Sequence, residues 1–108
     1  MVEPGLDRHE WQARWEQLED DLETSPAETL PELDRLVAEM LQARGFDIQD
    51  PVAREGEERD VLTEFLAARE TTRLVEKGAD DVSPGDVGAA VNGYRAVYDY
   101  LLVERTAP

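Results

Sequence analysis

The sequence predicts an all-α protein, an antiparallel bundle of about four helices with one longer loop between helices 2 and 3. Three observations support this fold class. Apolar residues recur at intervals of three and four, which places them along one side of a helix. Hydroxyl residues followed by proline, and later by glycine, stand where helices would begin and end. No segment alternates apolar and polar residues for long enough to form a sheet.

Length and charge limit the function classes. The 108 residues fit one domain, residues 1–108, with a single modest core. Asp and Glu total 26 against 11 Lys and Arg, which gives a net charge of −15. Such a surface repels phosphates and anionic lipid head groups, so we expect no direct nucleic acid binding and no membrane binding. A charged partner would be basic. Without a long apolar run or a signal peptide pattern, we expect a cytoplasmic protein.

The first helix is predicted from about Arg8 to Glu23. Its apolar residues are spaced four, three and four, on one stripe that contains two tryptophans. A terminal helix is easily the last to be covered in a small bundle. The stripe therefore either closes the core of one chain or contacts a second chain, and both interpretations stay open. The candidate interface residues are Trp11, Trp15, Leu18 and Leu22.

The start of the second helix has two candidates. Ser25 and Thr29 are each followed by a proline and, three residues on, by a glutamate, as in a capping box. Pro31 would clash inside a helix that began at Ser25, so we expect a short turn and a main helix from Thr29. Gly45 is predicted to end this helix in a left-handed conformation, with Phe46 making the apolar contact that often follows.

The longer loop is predicted at residues 46–56, and loops of this kind often carry binding residues. A third helix follows from about Glu57 to Lys77. Its apolar stripe becomes polar towards the end, where Arg69 and Thr72 continue the same spacing. Gly78 is predicted to end it.

The fourth helix is predicted from a cap at Ser83, with Asp86 three residues on, to about Glu104. It has the widest apolar face of the four, so we expect a central helix. Gly88 and Gly93 weaken a helix, and close packing would compensate for them. A flank of small residues would allow such packing; it consists of Ala89, Gly93 and Ala96, followed by Tyr100.

Residues that carry catalysis are scarce. The chain has no Cys and one His. His9 and the glutamate after it begin like a zinc protease motif, but Ala13 stands where the second His is needed. Ser25 and Ser83 are each followed by proline and fit helix caps better than nucleophiles. We therefore predict that the protein is not an enzyme, with no catalytic residues, no metal ligands, no cofactor-binding residues and no cofactor.

Three functions remain open. We prefer a non-enzymatic protein–protein interaction module, with a basic protein or a second copy of the chain, as in a homodimer, for its partner. A second alternative is mimicry of nucleic acid, in which carboxylates occupy the basic groove of a DNA-binding protein. A third is a small-molecule or metal site between the helices. The sequence offers only a loop around Asp80, Asp81 and Asp86, which lacks the alternating ligands of an EF-hand.

Overall fold

The computed structural model describes residues 4–46, 48 and 56–103. This part of the chain forms four α-helices and no strand, which confirms the predicted fold class. Most of the predicted loop, residues 47 and 49–55, lies outside the described residues. The helices are α1 (Pro4–Thr24), α2 (Pro26–Ala43), α3 (Glu57–Glu76) and α4 (Pro84–Val103).

The contacts between helix ends give the helix directions. Ser25 is the single residue between α1 and α2, and Arg14 of α1 bonds to Glu39 near the end of α2, so these two helices run antiparallel. At the other end of α2, Arg44 Nη1 donates a hydrogen bond of 2.7 Å to the carbonyl of Leu101 near the end of α4. Pro26 and Pro84, the first residues of α2 and α4, line one cleft. The helices α2 and α4 are therefore parallel, and each is antiparallel to its sequence neighbour.

The helices do not surround the core evenly. The central helix α4 packs closely against α3 and against α2, as its wide apolar face predicts, and α1 packs on α2. The backbones of α1 and α4 hardly approach each other within the described residues. Side chains from the predicted stripes fill the middle, and each buried aliphatic side chain contributes about 1.5–3 kcal/mol. The largest with no more than a trace of exposed surface are Tyr94, Phe65, Leu30, Leu33, Leu36, Met40 and Leu41.

Two predicted helix boundaries are confirmed in atomic detail. At the start of α4, the Asp86 amide donates to Ser83 Oγ at 3.1 Å, and the Ser83 amide donates to Asp86 Oδ2 at 3.0 Å, which is a reciprocal capping box. At the end of α2, Gly45 has a φ of 87°. The buried Phe46 donates its amide to the Leu41 carbonyl at 2.9 Å, which completes a Schellman motif.

The predicted start of α2 at Thr29 is wrong. The helix begins at Pro26 and keeps Pro31 inside it, and Ser25 makes no side-chain cap bond. Thr29 is buried and donates its hydroxyl to the Ser25 carbonyl at 2.8 Å. Because one residue joins α1 to α2, the second helix has to start at once. A proline inside a helix costs about 3 kcal/mol, and burial of the α2 stripe, with Leu30 fully covered, offsets this cost.

Of the small residues on the predicted flank of α4, only Gly93 is buried, while Tyr100 at the end of the flank is partly buried against the core. A Cβ on Gly93 would lie 3.5 Å from the Cβ of Ala68, so α3 passes close to the α4 backbone there. Ala89, Ala96 and Gly88 are exposed, and the predicted close packing at Gly88 is wrong. Two helices that cross at an angle approach each other most closely at a single position, and Gly93 occupies it.

Two further glycines, Gly88 and Gly45, should respond oppositely to alanine. Gly88 lies inside α4 with no atom within 4 Å of an added Cβ, so Gly88→Ala should raise the free energy of unfolding by about 0.5–1 kcal/mol. Gly45 has open space as well but a φ of +87°, so Gly45→Ala should lower it by about 1 kcal/mol. Urea unfolding of both variants tests the pair, and a loss of stability in Gly88→Ala would contradict the open position of that residue.

Candidate functional site

The structure divides the predicted interface stripe of α1 into covered and accessible parts. Trp15 and Leu18 are 5% and 9% exposed, so they lie within the chain's own core. Trp11 and Leu22 are half-buried against that core. A partner could therefore reach only the two ends of the stripe directly, and the interface itself stays a prediction.

Side chains bridge the space between the α1 and α4 backbones. The ring of Trp15 stacks on the ring of Tyr98 with centroids 4.1 Å apart and planes 11° apart. Trp15 Nε1 donates to Glu19 Oε2 at 2.7 Å, and Arg95 Nη2 donates to the same oxygen at 3.0 Å. Burial, helped by the carboxylate of Asp99, raises the pKa of Tyr98 to about 12. This half of the α1–α4 contact is therefore closed and well packed.

Beyond this contact, α1 and α4 leave an open apolar surface. A groove of about 310 Å³ runs between Leu22 on α1 and Val91 on α4. It continues, through Pro26 and Gly88, into a cleft of about 500 Å³ at the first turns of α2 and α4. We call this surface the α1–α4 face. Its apolar residues and glycine are Leu22, Pro26, Ala27, Val82, Pro84, Val87, Gly88 and Val91.

Carboxylates line the edges of the α1–α4 face. Glu19 and Glu23 of α1 line the groove, and Glu28 of α2 lines the cleft. Among the described residues the groove contains one basic residue, Arg95, and its guanidinium is paired with Glu19 at 3.0 Å. The face thus combines an apolar floor with an uncompensated negative rim.

A polar network lies on the opposite side of the core from the α1–α4 face, where α2, α3 and α4 meet at Asp34. Arg69 of α3 donates to both carboxylate oxygens, from Nε at 3.0 Å and from Nη2 at 2.8 Å. The hydroxyl of Tyr94 on α4 donates to Oδ2 at 2.8 Å. The guanidinium also lies 4.7 Å from the centre of the Phe65 ring. Bonding to Asp34 raises the pKa of Arg69 above its ordinary value.

Thr72 completes this network. Its hydroxyl lies 2.7 Å from the Tyr94 hydroxyl and 3.0 Å from the Ala68 carbonyl. Because the charged Asp34 is the stronger acceptor, the Tyr94 proton points to it, and Thr72 shares its one hydrogen between Tyr94 and Ala68. Burial raises the pKa of Tyr94 far above its ordinary value of 10, so the hydroxyl remains a donor.

A groove of about 580 Å³ lies beside the network, between one stripe of α2 and one stripe of α3. We call it the α2–α3 groove. Its chemistry is more polar than that of the α1–α4 face, and it holds three of the chain's arginines. The lining residues on α2 are Pro31, Asp34, Arg35, Ala38, Glu39 and Gln42, and those on α3 are Arg69, Thr72, Arg73 and Glu76.

This network and groove were not predicted from the sequence. The sequence does contain a signal for the network, namely polar residues at core-facing positions. Arg69 and Thr72 continue the apolar stripe of α3, and Asp34 follows Leu30 by four residues on the stripe of α2. A charged residue on a core-facing stripe needs a partner. The partners are 35 and 60 residues apart in the chain, so only the packing of the helices reveals them.

The other residues that the sequence suggested for metal binding do not come together in one site. His9 is exposed on α1, and Asp86 is engaged in the cap of α4. In the described part of the chain, no three His, Asp or Glu side chains form a group that could hold a metal ion. Within the same residues, no helix is long and apolar enough to span a membrane.

Comparisons with protein-family models, with curated proteins and with solved structures find no match to this chain. Function is therefore inferred from the side chains of the two grooves.

The buried tyrosines should make the protein less stable at alkaline pH. Unfolded tyrosines ionise near pH 10, whereas the folded pKa is about 12 for Tyr98 and higher for Tyr94. Above pH 10 the folded state therefore holds more protons than the unfolded state, and the free energy of unfolding falls as pH rises; below pH 10 this contribution is complete.

In the Tyr94→Phe variant the free energy of unfolding should fall less steeply between pH 10 and 12. The slope should be smaller by up to about 1.4 kcal/mol per pH unit. Urea unfolding at a series of pH values measures this slope. The difference in the free energy of unfolding between the variant and the unchanged protein at pH 7 measures the loss of the hydrogen bond alone. A decline as steep in the variant as in the unchanged protein would show that the Tyr94 hydroxyl does not hold its proton in the way described.

Proposed function

We propose that the protein is a non-enzymatic interaction module that binds a basic amphipathic segment of a partner protein on its α1–α4 face. The observation that carries this proposal is the apolar surface left open where α1 and α4 diverge, with Leu22 and Val91 half-buried on opposite walls. Partner helices commonly place an apolar side in such a groove. Trp11, half-buried at the other end of the α1 stripe, would extend the contact.

Charge selects the kind of partner. Glu23 and Glu28 have no ion-pair partner among the described residues, and the whole chain carries a net charge of −15. A segment with Lys or Arg flanking its apolar side would satisfy these rim carboxylates and would be attracted at long range. A second copy of the chain would place carboxylates against carboxylates, which disfavours the homodimer as the occupant of this face.

The test is capture of partners from the source cells, followed by measurement of the affinity of the purified partner. Leu22→Gln changes an α1 wall of the face, and we expect it to weaken binding about tenfold or more, the effect of losing a central apolar contact. Ala67→Gln, at an exposed position of α3 outside the face, is the matched control and should bind normally. Binding should also weaken as salt is increased.

Three results would argue against the proposal. A partner that binds Leu22→Gln as well as the unchanged protein uses another surface. If that partner is a DNA-binding protein whose affinity depends on salt alone, mimicry of nucleic acid is the better account. A native mass of two chains that is lost in Leu22→Gln would assign the α1–α4 face to a homodimer.

A further inference from the structure

The α2–α3 groove contains two arginines without ion-pair partners. Arg35 of α2 and Arg73 of α3 are exposed, line opposite walls, and make no ion pair within the described residues. No carboxylate of the described residues therefore neutralises these two guanidinium groups, although the whole chain carries 26 acidic residues against 11 basic ones. The groove is on the other side of the core from the α1–α4 face.

The free state of Arg35 has a structural cause. Glu39 lies four residues after Arg35 on α2, the spacing at which a helical ion pair would form. Instead, Glu39 accepts two hydrogen bonds from Arg14 Nη1 of α1, at 3.0 and 3.1 Å. The α1–α2 contact thus occupies one of the carboxylates that stand at ion-pair spacing from Arg35.

The floor of the groove supplies a third guanidinium that is already fixed in position. Arg69 is held by Asp34 through Nε and Nη2 and rests on the Phe65 ring. Its Nη1 makes no hydrogen bond within the described residues, and the side chain is 23% exposed. A fixed guanidinium loses little conformational entropy when it binds an anion.

We propose that the α2–α3 groove binds a small organic anion that carries a phosphate or carboxylate group, with Arg35, Arg73 and the free Nη1 of Arg69 as the donors. Guanidinium groups bind both kinds of oxyanion through paired hydrogen bonds. The volume of about 580 Å³ is in the range of small-molecule sites. The carboxylate of Glu76 also lines the groove, so the charged group of the anion has to bind away from it.

The proposal is tested by titrating the purified protein with inorganic phosphate and, separately, with citrate, at constant ionic strength maintained with sodium chloride. Amide chemical shifts from NMR report the binding residue by residue. We expect saturable shifts confined to the groove, including the amides of Arg35, Thr72 and Arg73. The tighter of the two anions identifies whether the natural ligand carries phosphate or carboxylate.

Arg35→Gln and Arg73→Gln should each raise the dissociation constant about tenfold, because a hydrogen bond to a charged group is lost. Both residues are exposed, so both variants should remain folded. Arg59→Gln, at an exposed position of α3 outside the groove, is the control and should leave the constant unchanged. Shifts that do not saturate, that match those of sodium chloride, or that fall equally in Arg59→Gln would overturn the proposal.

Discussion

The arrangement of α2, α3 and α4 depends on one carboxylate. Asp34 receives two hydrogen bonds from Arg69 on α3 and one from Tyr94 on α4, so each of these helices is fixed in register against α2. A half-buried ion pair adds little net stability, since desolvation opposes the attraction. Its larger effect is to disfavour alternative packings of the helices. A shift of any of the three helices by one turn would leave a charge or hydroxyl of the network without a partner.

Local signals in the sequence predicted much of the fold. The reciprocal cap of Ser83 and Asp86 and the left-handed Gly45 depend on residues close in the chain, and both are confirmed. The predicted start of α2 at Thr29 is wrong because burial of the side chains around Pro31 outweighs the free-energy cost of a proline inside the helix. Close packing was expected along the flank that contains Ala89, but this residue is exposed because packing there depends on the angle at which helices cross. The two grooves likewise depend on the angles between helices, and no spacing rule predicts how far helices diverge.

The bundle therefore has two sides with different chemistry. Between α1 and α4, stacked side chains of Trp15 and Tyr98 hold the backbones apart, and the apolar α1–α4 face opens beyond them. Between α2 and α3, Arg69 is anchored on the core and the groove above it is polar. The first surface suits a basic protein segment and the second a small anion. Because the Asp34 network fixes both walls of the α2–α3 groove and the α4 wall of the α1–α4 face, both surfaces depend on it.

The most direct test of this account is a double-mutant cycle with Asp34→Ala and Tyr94→Phe, measured as free energies of unfolding in urea. Contact between the two residues in one network predicts a coupling energy of about 0.5–3 kcal/mol, and a hydrogen bond to a charged carboxylate places it at about 1.5 kcal/mol or more. A parallel cycle on the exposed pair of Arg14 and Glu39 should give less than about 1 kcal/mol. If the coupling between Asp34 and Tyr94 were no larger than that of the exposed pair, the network would not hold the three helices together as described.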